Sequence, residues 1–132
     1  MLNANTLIQV VQLRIGLGGI WLTRLKNLGL ITPRLVTVHF THLTEPDIEL
    51  LSEKGPNVVH CPNSNMKLAS GICNVSKLIH HGVNVALGTD GAASNNRLDM
   101  FGEMRAAALL AKVSTEDATS LPMMVGHPGI TR

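Results

Sequence analysis

Three short β-rich runs constrain this chain more than anything else in it. Residues 35–39, 57–60 and 83–87 are dominated by Val, Leu, Thr and Ala, and each is bounded by Pro or Gly. The intervals between them carry helical patterns. Thr44, Pro46 and Asp47 mark a helix start close to a capping box, and the helix runs through Ile48, Leu50 and Leu51 to Gly55. Asn74 caps a second helix through Val75, Leu78 and Ile79 that Gly82 closes. A longer helix is predicted over about 98–112, with Leu98, Phe101, Met104, Ala108 and Leu109 as its apolar set. Residues 63–71 read as a polar loop, and residues 114–117 as the start of a further helix or turn. Strands that alternate with helices at this spacing predict an α/β fold with a parallel sheet.

The N-terminal part is harder to read. Residues 7–15 fit a helical face, and residues 10–15 fit a strand equally well. The Gly16-Leu17-Gly18-Gly19 run matches neither a dinucleotide fingerprint nor a phosphate loop, so a turn is expected. Residues 21–28 predict a short amphipathic helix with Leu22, Leu25 and Leu28 inward and Arg24 and Lys26 outward, ending at Gly29. The domain reading is a poorly assigned segment over 1–21, the βα region over 22–122, and an irregular tail over 123–132.

Several classes are excluded by composition. With 45% apolar and 15% charged residues the chain is globular, and its core is aliphatic because Trp21, Phe40 and Phe101 are the only aromatics. A net charge of +2 without a basic stripe argues against nucleic acid. No basic segment precedes an apolar core at the N-terminus, and residues 7–22 are broken by Gln9, Gln12 and Arg14, so neither a leader nor a membrane span is expected. Cys61 and Cys73 show no paired-ligand spacing and read as reduced cysteines of a cytoplasmic protein.

The chemistry lies at the strand ends. The three runs end in His39, His60 and, through Gly88-Thr89, Asp90. In a parallel sheet these ends share one edge, where α/β active sites form. Imidazoles and a carboxylate converging there suit a divalent metal or acid–base work on a water molecule. A structural Asp in a strand-to-helix turn explains Asp90 equally well, and a hydrogen-bonded structural His explains each histidine taken singly. His42 is either a loop residue or a second functional group. His80 and His81 are accounted for by a helix C-terminus, and His127 lies in the tail with no assigned role.

Two stretches carry a resemblance. They are His60-Cys61-Pro62-Asn63-Ser64-Asn65-Met66-Lys67-Leu68-Ala69-Ser70-Gly71 and Gly88-Thr89-Asp90-Gly91-Ala92-Ala93-Ser94-Asn95-Asn96. Both resemble signatures of the metal-dependent amidohydrolase superfamily, in the branch of 5-methylthioadenosine/S-adenosylhomocysteine deaminases and triazine hydrolases. The run that ends in His39 resembles the strand before them, and the resemblance spans residues 22–122. It implies part of a (β/α)8 TIM barrel, strands six to eight. It also implies Asp90 as metal ligand and proton shuttle, and His39 as the group that contacts the metal-bound water, the substrate or the metal. Ser94 would lie near the substrate, and Asn65 and His60 would shape the pocket. The implied cofactor is a divalent metal, zinc first and iron or manganese as alternatives. The implied reaction is hydrolytic deamination of a purine nucleoside or related small heterocycle.

One departure is large. The superfamily's first-strand His-x-His pair, its fifth-strand His and the Glu that follows have no counterpart, because no histidine precedes His39. The chain therefore reads as a C-terminal piece of a barrel with altered ends, as a truncated or frame-shifted gene would give. Three strands cannot close such a barrel, and one carboxylate with one or two histidines falls short of a catalytic zinc site. On this reading the chain is inactive and holds no metal by itself. The alternative is a non-catalytic α/β module that self-associates or binds a partner through open sheet edges.

Overall fold

The computed structural model describes residues 9–12 and 18–121. Four short strands, β1 (Gln9–Gln12), β2 (Leu35–Val38), β3 (Asn57–His60) and β4 (Asn84–Leu87), form one sheet in the order β1-β2-β3-β4. Every pair is parallel, with Gln9 opposite Leu35, Val36 opposite Asn57, and Asn57 opposite Asn84. Between and after them lie α1 (Gly18–Asn27), α2 (Glu45–Lys54), α3 (Pro62–Lys67), α4 (Val75–His80) and α5 (Met100–Thr115).

Strands consecutive in sequence are neighbours in the sheet, so each crossover returns its helix to the same face. The buried cluster shows which face that is. Leu35, Val58 and Val85 of the strands pack with Leu22 of α1, Ile48 and Leu51 of α2, and Val75 and Leu78 of α4. The alternate strand positions, Val36, Val38, Val59 and Ala86, are only half-buried. Helices cover one face of the sheet and leave the other partly open, the layering of one arc of a (β/α)8 barrel.

Local chemistry fixes the element ends. At α2, Asp47 Oδ2 accepts from the Thr44 backbone N–H at 2.9 Å and from the Thr44 hydroxyl at 2.6 Å. Gly55 closes the helix at φ 67°, a conformation a side chain would resist. Asn74 Oδ1 caps α4 by accepting from Lys77 N at 3.1 Å. At the strand starts, Asn84 Nδ2 donates to Asn57 Oδ1 at 2.6 Å and Asn57 Nδ2 donates to Pro33 O at 2.8 Å. These side-chain bonds lock the register of β3 against its neighbours.

The structure corrects several expectations. Of the ambiguous N-terminal stretch, residues 9–12 are a strand, and α1 begins at Gly18, so the expected boundary between residues 21 and 22 falls inside a helix. Leu22 is buried in α1 as expected, but Leu28 lies beyond the helix and is exposed. The first part of the predicted polar loop is the helix α3, with Pro62 preset for the first turn and no glycine before Gly71 to interrupt it. Residues 114–117 start no new helix: α5 runs on to Thr115 and is capped by Glu116 in the left-handed region. The expected apolar set of α5 holds for Ala108, which is buried, and fails for its larger members. Leu98, Phe101 and Leu109 are exposed, and the inward positions are Glu103, Ala107, Ala108 and Ala111. Small side chains mark the buried side of this helix, while Phe101, Leu109 and Val113 are exposed on it. Among the described residues no helix is long and apolar enough to cross a membrane. The expected tail over 123–132, with His127, lies outside the described residues.

Gly88 continues β4 toward Asp90 through a tight passage. A Cβ there would sit 2.8 Å from Val59 Cγ1 and 3.3 Å from Cys61 Sγ. Gly88→Ala is expected to destabilise the chain by about 1–3 kcal/mol, since these neighbours must shift, as urea unfolding would measure. An unchanged midpoint would show that β3 can give way there.

Candidate active site

The parallel ladder does not stop at the strand ends. His39 N donates to Val59 O, and Gly88 N donates to His60 O, each at 3.0 Å. These bonds carry the sheet's geometry one residue past β2 and β4, to where the chain bends. His39 and Asp90 then adopt φ of 77° and 60°, a left-handed conformation unusual for residues with side chains. The outcome is convergence: His39 Nε2 lies 3.8 Å from Asp90 Oδ2.

Two further segments grip this pair. Asn65 Oδ1, on α3, accepts from His39 Nδ1 at 2.8 Å. An amide oxygen only accepts, so the Nδ1 proton is fixed and Nε2 is the nitrogen that faces Asp90. Asp90 Oδ2 accepts from the Ser94 hydroxyl at 2.7 Å and from the Ser64 hydroxyl at 2.6 Å. Of the residues singled out from sequence, His39, Asp90, Asn65 and Ser94 thus form one connected group. His60 is buried beside it and makes no hydrogen bond to the group: its Nδ1, like Asn65 Nδ2, has no partner among the described residues. A water or a ligand is what normally satisfies such buried atoms. His42 is exposed against Gly71, and His81 caps α4 with Nδ1 on Lys77 O at 2.8 Å.

Sequence reasoning missed two participants. Ser64 sits in the first signature stretch, one residue before Asn65, and its bond to Asp90 gives it a role that was not assigned. Glu103 on α5 is fully buried, where Oε1 accepts from Asn63 Nδ2 at 2.8 Å and Asn95 Nδ2 at 2.6 Å, and Oε2 from Asn63 N at 3.2 Å. Its one sequence signal is phase: it lies four residues before Ala107 and eight before Ala111, on the buried side of the helix.

Electrostatics follow burial. Partial burial pushes the Asp90 carboxyl up, but the Ser64 and Ser94 hydroxyls, the Gly91 backbone and His39 outweigh it and hold the group below the usual carboxylate range. Burial, aided by His39 nearby, pushes His60 down to about 4, so it is neutral at pH 7. Burial pushes the Cys61 thiol up to about 12, with Asp90 and Glu103 adding to the effect, and Cys73 likewise to about 12. Both cysteines are free thiols, unsuited as thiolate ligands or nucleophiles.

A divalent cation can be tested against this geometry. Zinc takes His nitrogen and carboxylate oxygen at roughly 2.0–2.2 Å, so two donors of one ion lie within about 4.4 Å of each other. The 3.8 Å between His39 and Asp90 meets that limit, and the donor types suit the ion. The number does not. Among the described residues no group of three or more His, Cys, Asp and Glu is placed to hold a metal, whereas catalytic zinc uses about three protein ligands. The pair fits as part of a metal site and does not make one.

With the geometry established, comparison with known proteins gives a consistent result. Residues 1–124 match the Amidohydrolase family, so the match includes the N-terminal segment that the sequence reading had left outside its resemblance over 22–122. A 5-methylthioadenosine/S-adenosylhomocysteine deaminase of Syntrophobacter fumaroxidans is 59% identical over 98 residues, covering 74% of this chain and 22% of that protein. A 5'-deoxyadenosine deaminase of Methanothermobacter thermautotrophicus is 54% identical over 100 residues, covering 76% of this chain and 23% of that protein. The crystal structure of a Xanthomonas campestris adenosine deaminase with bound zinc superposes with a TM-score of 0.75 at 57% identity, over 76% of this chain and 23% of that one. The chain spans less than a quarter of the length of these relatives.

Two outcomes follow from the site. After dialysis the chain is expected to retain well under one zinc, iron or manganese ion per molecule, as elemental analysis would measure. Near-stoichiometric metal that is lost in Asp90→Ala would show that the ligand set is completed after all. The second concerns pH. His60 has a lower pKa folded than unfolded, so its contribution is full above about pH 6.5 and is lost as pH falls through about 4. That loss approaches about 3 kcal/mol. Urea unfolding between pH 7 and 4 should show the decline, and His60→Gln should flatten it. An unchanged slope in the variant would place the sensitivity elsewhere.

Proposed function

The chain belongs to the amidohydrolase family, and from that premise we propose that it carries the proton-handling corner of a hydrolytic deaminase acting on an adenosine-type nucleoside. The observation that carries this reading is the Asp90 carboxylate held by Ser64 and Ser94 and facing His39 Nε2. In deamination a water oxygen bonds to the ring carbon, the carbon–nitrogen bond breaks, and ammonia leaves. Asp90, kept ionised by its hydroxyl donors, takes a proton from the water and passes it to the departing amine. His39 is held in one tautomer by Asn65 and faces the same carboxylate oxygen. Ser94 lies next to the substrate, and His60 and Asn65 shape the pocket wall with their unpaired polar atoms. His39 and Asp90 are this chain's share of a divalent-metal site, with zinc first and iron or manganese as alternatives. The other ligands come from outside the described residues, so the chain by itself is not expected to turn over. Its reduced, buried cysteines support a cytoplasmic location.

The sheet supports a second reading. β1 and β4 are outer strands among the described residues, each paired on one side. Self-association through these edges, without chemistry, would give concentration-dependent assembly in sedimentation experiments and no site phenotype.

A graft separates the two. Residues 22–121 would replace the matching segment of the Syntrophobacter fumaroxidans relative, and ammonia release would be followed from 5-methylthioadenosine, S-adenosylhomocysteine and 5'-deoxyadenosine. The expected result is an active graft that loses at least about 100-fold in kcat with Asp90→Asn, the lower range for a general acid–base group. A folded but inactive graft, or one indifferent to Asp90, would overturn the deaminase reading.

A further inference from the structure

Glu103 is a fully buried ionisable group that the proposed chemistry does not use. It has no cationic partner among the described residues, and the donors to its carboxylate are amide N–H groups of Asn63 and Asn95. Burying a carboxylate this way is costly, and an apolar side chain in phase with Ala107 and Ala111 would close α5 on the sheet without that cost. Its position suggests what the carboxylate supplies instead. Asn63 immediately precedes Ser64, and Asn95 immediately follows Ser94. Those serines are the two that donate to Asp90 Oδ2. Asn95 Nδ2 also donates to Thr89 O at 2.9 Å, which ties the residue before Asp90 to the same cluster.

We propose that Glu103 is the positioning residue of the site: by holding Asn63 and Asn95 it fixes the loops after β3 and β4 relative to each other, and so sets both serine hydroxyls on one oxygen of Asp90. The role requires acceptors on both carboxylate oxygens, because one oxygen serves both side-chain amides and the other serves the Asn63 backbone. Glutamine cannot replace it, since it turns one acceptor into a donor that faces another donor. Aspartate is one carbon too short to span the same gap. Glu103 touches no reacting atom; it acts through the two asparagines. The proposal rests on the reading of Asp90 as proton carrier only for its consequence in catalysis, not for its geometry.

The test is structural and uses the whole 132-residue chain. Crystal structures of Glu103→Gln, Asn63→Ala and Asn95→Ala would be compared with the parent. In Glu103→Gln at least one serine should leave Asp90, so that a separation of 2.6 Å for Ser64 or 2.7 Å for Ser94 opens beyond about 3.5 Å. Asn63→Ala should release Ser64 and leave Ser94 in place, and Asn95→Ala should do the reverse. If Glu103→Gln does not fold, the two asparagine variants decide the matter through that arm-specific pattern. A variant set that lowers the unfolding temperature but keeps both serine bonds would mean that Glu103 is a helix anchor only, and the proposal falls. In the active graft, Glu103→Gln should lower kcat by about 100-fold with KM little changed, the scale of a misplaced catalytic group. Released serines with full activity would leave the clamp standing and overturn the role given to Asp90.

Discussion

One oxygen atom, Asp90 Oδ2, is where the described part of this molecule comes together. It takes a hydroxyl from α3 through Ser64, a hydroxyl from its own loop through Ser94, and faces His39 from the end of β2. Each of these arrives from a different βα unit or loop, so the contact exists only if β2, β3 and β4 are parallel, adjacent and in register. The side-chain bonds among Asn57, Asn84 and Pro33 at the opposite end of the strands secure that register. A one-residue slip would exchange the two faces of a strand and carry the strand-end residues away from the site. The site is thus a consequence of sheet register before it is a matter of side-chain chemistry.

The layering has its own logic. Helices on one face bury Leu35, Val58 and Val85, whereas Val36, Val38 and Val59 on the other face are half-open. An isolated α/β sheet normally covers both faces, and a barrel covers the second face with its own far wall. The half-open apolar row is the inner wall of such a barrel. In α5 the buried side is marked by Ala107, Ala108 and Ala111, while Phe101, Leu109 and Val113 are exposed.

Much of this was legible in sequence, and the limits have physical causes. The strands β2, β3 and β4 could be found because each is a short apolar run bounded by Gly or Pro, whereas β1 has no such punctuation and fitted a helical face equally well. His39 and Asp90 could be found because strand ends in a parallel sheet collect on one edge. The α2 and α4 caps could be found because Thr44 with Asp47, and Asn74, act within three residues of themselves. Glu103 could not, because its partners Asn63 and Asn95 lie 40 and 8 residues away in sequence and only the fold brings them together. The helix α3 was hidden because it is six residues long and more polar than apolar, so it carries no period. The buried face of α5 was misread because alanines rather than large apolar residues mark it, and a hydrophobicity pattern weighs them least.

The pairing of His39 with Asp90 carries a final constraint. The proton on His39 Nδ1 goes to Asn65, so in the neutral ring Nε2 presents a lone pair toward a carboxylate oxygen 3.8 Å away. Two acceptors that face each other across that distance repel unless positive charge stands between them. Both residues adopt a left-handed φ, and the ladder bonds from His39 N and Gly88 N fix the backbone where the chain turns toward the pair. A proton in transit and a divalent cation both meet the requirement. The shared edge of the parallel sheet is thus what brings two such acceptors within reach of a single positive charge.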